Sequence, residues 1–321
     1  MSFSIIPYDG NSPMKLWPSL AGKAFYLKYG AGLKDRLFFY DSPPQGDSAI
    51  GGIVSPAPVI VLIHGLGDEA DSWRRLIPLL NSRGFRVLAP DLPGFGRSVA
   101  SGKINLKNHA AAVLTLIGAA AQSSVQNGRG VFLAGNSMGA MVAETAVLKK
   151  PELVKGLILV DGSIPGGPSN PGPFVLAKLL FSRKWYRSYR ENHEGAWASL
   201  RPYYADLSNL PLEDRDFLKS RVVARVESAA QERAFFQTQT SLIMAYITSS
   251  SRFARGIRDF PGKILLLWGE KDRILPPASA QPFKALRGDI EMEIISGAGH
   301  LPQQEKPEET ARLMTDFASG R

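Results

Sequence analysis

Continuous apolar runs punctuate the chain. They are Val59-Ile60-Val61-Leu62-Ile63, Val87-Leu88-Ala89 behind Arg86, Val131-Phe132-Leu133-Ala134, Leu157-Ile158-Leu159-Val160 behind Gly156, and Ile264-Leu265-Leu266-Leu267-Trp268. Runs of this length without polar alternation are strands covered on both faces. Between them the pattern changes to a helical one over residues 73–82, 106–122 and 140–149. Strands alternating with helices predict an α/β fold built on a mostly parallel, doubly wound sheet. Ahead of these, residues 24–29 and 36–40 read as an antiparallel pair around "GAGLKD", and residues 41–58, rich in Pro, Gly and Ser, as a loop. Residues 291–295, "EMEII", add a late strand.

The alternation breaks once. From residue 163 to residue 260 no strand of the same quality occurs. "SIPGGPSNPGP" opens the region, and helical patterns follow over residues 174–189, 212–228 and 232–247. The expected organisation is a core of residues 1–162 and 261–321, interrupted by a helical cap at 163–260.

Composition narrows the function more than the fold. The 321 residues, 44% hydrophobic and 21% charged, suit a globular protein with a large core. Cysteine is absent, which removes thiol nucleophiles, disulfides and Cys-ligated zinc and fits a reducing compartment. The four histidines include no pair at metal-binding spacing, so neither metal nor cofactor is expected. The net charge of +9 comes without a nucleic-acid-binding signature and reads as a dispersed, solvated surface. No apolar run approaches the roughly 18 residues of a membrane span, and the N-terminal stretch lacks the pattern of a signal peptide. A cytoplasmic protein is the expectation.

The candidate chemistry sits where strands end. "GNSMG", Gly135 to Gly139, follows one apolar run and opens a helix, which places Ser137 at a sharp strand-to-helix turn. A serine there needs a base, an acid to orient the base, and donors for an oxyanion. His300, in "SGAGHLPQQEKPEE" after residues 291–295, is the one histidine beyond the insertion and supplies the base. Asp272, in "GEKDRILP" after residues 264–268, supplies the acid. Asp161, after "LILV", also ends a core strand, and a turn or capping role is expected for it. The oxyanion donors are the N–H of Met138, after the serine, and that of Leu66, in "HGLGDEADSW" after residues 59–63. His64 on that loop is assigned a structural role. "PDLPGFGRS" is Gly-rich but lacks the lysine and spacing of a phosphate loop.

Five ordered motifs, "HGLGD", "PDLPGFGRS", "GNSMGA", "WGEKDRILP" and "GAGHLPQQEKPEE", make the chain from about residue 24 onward resemble the α/β-hydrolase superfamily. The resemblance implies a cap inserted after the sixth strand of the family sheet, where the helical region falls. It also implies hydrolysis through an acyl-enzyme on Ser137 without a cofactor. "GNSMG" looks like the elbow of the meta-cleavage-product hydrolases, which split carbon–carbon bonds beside a ketone. Those enzymes usually carry a tryptophan after the histidine and Gly-Pro-Gly in the oxyanion loop. Here Leu301 follows His300 and the loop reads "HGLGDEAD", which favours a carboxylic ester hydrolase acting on a small hydrophobic ester. The alternatives are C–C hydrolysis, with Arg190 or another cap arginine holding a substrate carboxylate, and a non-catalytic ligand-binding protein on the same fold.

The cap carries 14 Lys and Arg against 9 Asp and Glu, concentrated in "SRKWYRSYR", residues 182–190. One reading turns Trp185, Tyr186 and Tyr189 to the site and the cations to water. The other is a basic aromatic patch for an anionic membrane surface.

Overall fold

The computed structural model describes residues 3–30, 34–45, 57–121, 130–162 and 183–321. They form one nine-stranded sheet: β1 (Ser4–Pro7), β2 (Ala24–Tyr29), β3 (Asp35–Ser42), β4 (Val59–Ile63), β5 (Arg86–Pro90), β6 (Val131–Asn136), β7 (Val154–Val160), β8 (Lys263–Gly269) and β9 (Glu291–Ile295). Their spatial order is β1-β2-β3-β5-β4-β6-β7-β8-β9. The first three strands and the β3–β5 pair are antiparallel, and the rest of the sheet is parallel.

The parallel strands are apolar throughout because both of their faces are covered. Val59, Val61 and Ile63 of β4 pack into the core on one face, and Ile60 and Leu62 into the core on the other. Helices Leu106–Ala120 and Met138–Lys149 cover the first face, and helices Leu76–Ser82 and Pro307–Ser319 the second. Each fully buried Leu, Ile or Val contributes roughly 1.5–3 kcal/mol of burial free energy, before the entropy of ordering the chain is subtracted.

Strand order explains where a site can form. The chain runs outward from β4 to β5, then returns across β4 to β6. This reversal leaves a crevice beyond the carboxyl ends of β4 and β6, the usual ligand position in open α/β sheets.

The strands expected from the sequence are all present. β1 was not expected: it is short, pairs only with β2, and alternates half-buried and exposed positions, so it carries no apolar run. Between β7 and β8 the described chain is helical, but residues 163–182 lie outside the described residues, and with them most of the helix expected at 174–189. Residues 183–188 are helical. The helix expected at 232–247 is part of a longer one, Ala229–Asp259, of 31 residues. Along its polar stretch the Thr248 and Ser250 hydroxyls donate back to the carbonyls of Met244 and Tyr246, after which Phe253 and Ile257 return to the core.

Candidate active site

Ser137 stands between β6 and helix Met138–Lys149 with φ 55° and ψ −115°, in the left-handed half of backbone space. For a residue with a side chain this is strained, and surrounding contacts must hold it. The Ser137 N–H donates to the Val160 carbonyl of β7 at 2.9 Å. The flanking glycines are required by close approach. A Cβ on Gly135 would lie 2.2 Å from the Gly139 backbone, and one on Gly139 would lie 2.1 Å from the Ile63 carbonyl. The helix can therefore start directly against β4 and β6, with the Met138 N–H among its unpaired first-turn donors.

Asn136, the residue before the serine, is buried and ties two loops together. Its side-chain amide donates to the backbone carbonyl of His300 at 3.0 Å and to that of Val160 at 3.3 Å. The sequence gives a weak signal for this role: a buried amide at the end of an apolar run must find partners.

His300 and Asp272 meet as expected. The His300 ring donates from Nδ1 to Asp272 Oδ2 at 2.7 Å, and both residues are buried. The other oxygen, Asp272 Oδ1, accepts the N–H groups of Ile274 and Leu275 at 2.8 and 2.9 Å. With Nδ1 donating, neutral His300 presents Nε2 as an acceptor. The backbone of the histidine loop rests on the helical region, with His300 N–H donating to the Tyr203 carbonyl at 2.8 Å. Glu305 closes the same loop by accepting the N–H groups of Gly299 and Ala205 at 2.7 and 2.8 Å.

Asp161 is also brought to this cluster. It has φ 48°, is fully buried, and accepts the Gly269 N–H with Oδ1 at 2.8 Å. Burial, and then the charge of Asp272 beside it, push its carboxyl well above the usual carboxylate range. One donor atom each from Asp161, Asp272 and His300 lie within 4.8 Å of one another, close enough to hold a cation. Both Asp272 oxygens already accept hydrogen bonds, from Ile274 N–H, Leu275 N–H and His300 Nδ1–H.

The loop after β4 is held from behind. His64 is fully buried, and burial holds its ring neutral by lowering its affinity for a proton. Nε2 accepts the Leu92 N–H at 2.8 Å, so Nδ1 carries the hydrogen and donates to the Gly65 carbonyl, also at 2.8 Å. A trans peptide points its N–H opposite to its carbonyl. Pinning the Gly65 oxygen therefore turns the Leu66 N–H the other way. "PDLPGFGRS" is a buried ionic clamp on this loop. Asp91 accepts from Ala70 N–H at 2.7 Å and pairs with the buried Arg97 at 2.8 Å, and Arg97 also pairs with Asp71 at 2.7 Å.

Leu66, Ser137 and His300 open onto one cavity of about 560 Å³. Its walls are largely apolar and aromatic, with Phe95, Tyr186, Leu200, Val222, Phe235 and Leu301 among them. Trp185 and Tyr189 reach it as well, and Trp185 keeps 53% of its surface exposed. The cations interleaved with them are only partly free in solvent. Arg187 and Arg190 both pair with the buried Glu232 at 2.8 and 2.6 Å, and Arg183 lies over the Phe236 ring at 4.9 Å. Among the described residues, two charged ones line the cavity, Asp68 and Arg225, and they pair with each other at 2.6 Å. Arg225 is shared with Glu69, whose carboxyl the Arg221 and Arg225 guanidiniums hold far below its ordinary range.

Among the described residues, no helix is long and apolar enough to cross a membrane. The sequence profile of the alpha/beta hydrolase family matches residues 60–313. A pimeloyl-[acyl-carrier protein] methyl ester esterase of Methylococcus capsulatus is 28% identical over 262 residues, 81% of this chain and 94% of its own. A 2-hydroxy-6-oxo-6-phenylhexa-2,4-dienoate hydrolase of Comamonas testosteroni is 25% identical over 298 residues, 90% of this chain and 93% of its own. A carboxylesterase from Bacillus subtilis superposes with a TM-score of 0.69 at 20% identity, covering 93% of this chain and 92% of that one, a likeness of fold alone. With nine strands in this order and four-fifths of its length inside the matched region, the chain belongs to the alpha/beta hydrolase family of enzymes.

Proposed function

We propose that the protein is a serine hydrolase of neutral carboxylic esters, with Ser137 as nucleophile, His300 as base and Asp272 as orienting acid. The observation that carries this reading is the His300–Asp272 hydrogen bond of 2.7 Å behind a cavity that also contains Ser137. His300 Nε2 takes the Ser137 proton as Oγ attacks the ester carbonyl. The carbonyl oxygen becomes an oxyanion and receives the N–H groups of Leu66 and Met138, which solvent does not have to reorganise to supply. His300 then protonates the leaving alcohol, and a water activated by the same ring releases the acid from the acyl-enzyme. Asp272 keeps the ring in the tautomer this sequence requires and stabilises the imidazolium.

The charges that the described residues bring to the cavity support an ester over a diketo acid. A substrate carboxylate needs an uncommitted cation. Arg190 is bound to the Glu232 carboxylate at 2.6 Å and to the Val226 carbonyl at 2.8 Å, and does not line the cavity. Arg225 does line it, but is neutralised by Asp68 and Glu69. The aromatic and aliphatic walls suit an apolar acyl or alcohol group, worth about 25 cal/mol for each Å² removed from water. Turnover of p-nitrophenyl esters from acetate to laurate, beside a vinylogous diketo acid, tests the reading. Ester turnover is expected to exceed diketo-acid turnover. Faster cleavage of the diketo acid would reverse the assignment.

A further inference from the structure

We propose that Asp161 is a positioning residue, a neutral carboxylic acid whose Oδ2–H donates to the Asp272 carboxylate and limits how strongly that carboxylate holds a proton on His300. The inference rests on the assignment of Asp272 and His300 above.

The geometry separates two duties of this side chain. Asp161 N–H donates to the Leu267 carbonyl, which extends the β7–β8 ladder by one residue. Its Oδ1 then substitutes for the next ladder carbonyl by accepting the Gly269 N–H at 2.8 Å. That duty occupies one oxygen. Oδ2 is fully enclosed and receives no hydrogen bond from an N–H or hydroxyl of the described residues. A buried oxygen without a partner is costly. An oxygen of the Asp272 carboxyl lies within 4.8 Å of one of Asp161, and the two carboxyls can pair only by sharing a proton.

The donors decide which of them keeps it. Asp272 accepts three hydrogen bonds, from Ile274 N–H, Leu275 N–H and His300 Nδ1, and hydrogen bonds to the charged form favour that form. Asp161 accepts one. The charged or titratable groups facing Asp161 are Asp272, His300 on the following loop, and Glu305 beyond it. The neighbouring carboxyls of Asp272 and Glu305 offer it no compensating positive charge, so both burial and these neighbours favour the protonated form. The positive φ of 48° shows that the surrounding structure enforces this placement. Two buried carboxyls sharing one proton thus divide the labour: one stays ionised behind the histidine, and the other remains a fixed donor.

An amide reproduces this neutral donor, whereas alanine removes it. Asp161→Asn is expected to keep kcat/KM within about threefold, with the acid limb of its pH profile unmoved. In Asp161→Ala, Asp272 loses a donor and holds the protonated ring more tightly. The acid limb should then rise by about half a pH unit. Infrared spectra at neutral pH should show the carbonyl stretch of a protonated carboxylic acid, absent from Asp161→Asn. If Asp161 is instead ionised, Asp161→Asn removes a negative charge beside the ring. Its acid limb would then fall by about a unit, the infrared band would be missing in the parent protein, and the proposal would be overturned. If Asp161→Ala does not fold, the Asn profile and the infrared band decide alone. A parallel Asp272→Asn variant separates the two levels. If it is inactive while Asp161→Asn shifts its limb downward, only this inference fails. If Asp161→Asn is the inactive one, the acid itself has been misassigned.

Discussion

Replacing Asp272 by its amide should cost about 10⁴-fold in kcat while leaving the fold intact. The structure dictates why. Asp272 Oδ1 accepts two backbone N–H groups, from Ile274 and Leu275, at 2.8 and 2.9 Å. In Asp272→Asn the amide oxygen must keep that position, because an amide nitrogen there would face two donors with no acceptor. Nδ2 is then forced towards His300 Nδ1, where an N–H already points at 2.7 Å. Two donors cannot share that contact, so the ring changes tautomer and moves its proton to Nε2. A ring protonated at Nε2 cannot accept the Ser137 proton. The loss should appear in kcat for a short aryl ester, with KM little changed, because the side chain does not line the cavity. The melting temperature should change little, since the amide matches the shape of the carboxylate and keeps its backbone contacts. A loss of less than about a hundredfold would show that Asp272 does not set the tautomer.

Ser137→Ala should lower kcat by roughly a millionfold and abolish labelling by a fluorophosphonate, while circular dichroism stays unchanged. Retention of a few per cent of ester turnover would remove Ser137 from its role. Ester hydrolysis should survive chelation, because both Asp272 oxygens are already engaged by N–H groups; inhibition by EDTA that a divalent ion reverses would point to a metal between Asp161, Asp272 and His300. Acid should destabilise the fold before it affects most carboxylates. Burial holds His64 neutral and pushes His109 down to about 3, so below about pH 6.5 the unfolded chain binds protons that the folded chain refuses. Each pH unit of descent then costs up to about 1.4 kcal/mol per histidine, against up to the same amount gained once from Asp161, whose buried carboxyl keeps a proton the unfolded chain releases, so the two histidines together outweigh it. Urea midpoints at pH 6.5 and pH 5 check this, and an equal or higher midpoint at pH 5 would contradict it.

The sheet was legible because β4 and β6 are buried at every position and so cannot be mistaken for half-exposed strands. The proposed serine and aspartate could be located because each follows a buried apolar strand, whereas His300 follows β9, which is exposed at three of its five positions. What escaped were contacts between distant segments. Asn136 gave no period or spacing to read, yet it fastens the elbow to a loop 164 residues away. Asp161 was expected to have a turn or capping role, whereas its carboxyl accepts the Gly269 N–H across the edge of β7 and β8. Its nearness to Asp272 depends on β7 and β8 pairing across the whole helical region. The arginines of residues 183–190 were read either as cations facing water or as part of a basic aromatic patch for an anionic surface. Glu232, the shared partner of Arg187 and Arg190, lies more than 40 positions on, in a helix whose facing cannot be inferred from its own periodicity.

The density of buried charge around an apolar cavity has a common cause. An oxyanion donor must keep its N–H unpaired until substrate arrives, so the backbone carrying it cannot be stabilised by the usual ladder. The loop holding Leu66 is instead fixed through its carbonyls and side chains: His64 grips Gly65, Asp91 takes Ala70 N–H, Arg97 bridges Asp91 and Asp71, and Arg221 and Arg225 hold Glu69. The last two come from helix Leu212–Glu227, so the helices above the cavity and the loop proposed to receive the oxyanion are fastened by the same buried pairs. Such pairs add little net stability, because desolvation consumes most of their attraction. They do fix geometry, since removing either partner leaves an uncompensated buried charge at a cost of about 3–5 kcal/mol. A hydrophobic replacement of the whole network could match its stability but not its directionality, and the orientation of a single peptide plane is what the oxyanion requires.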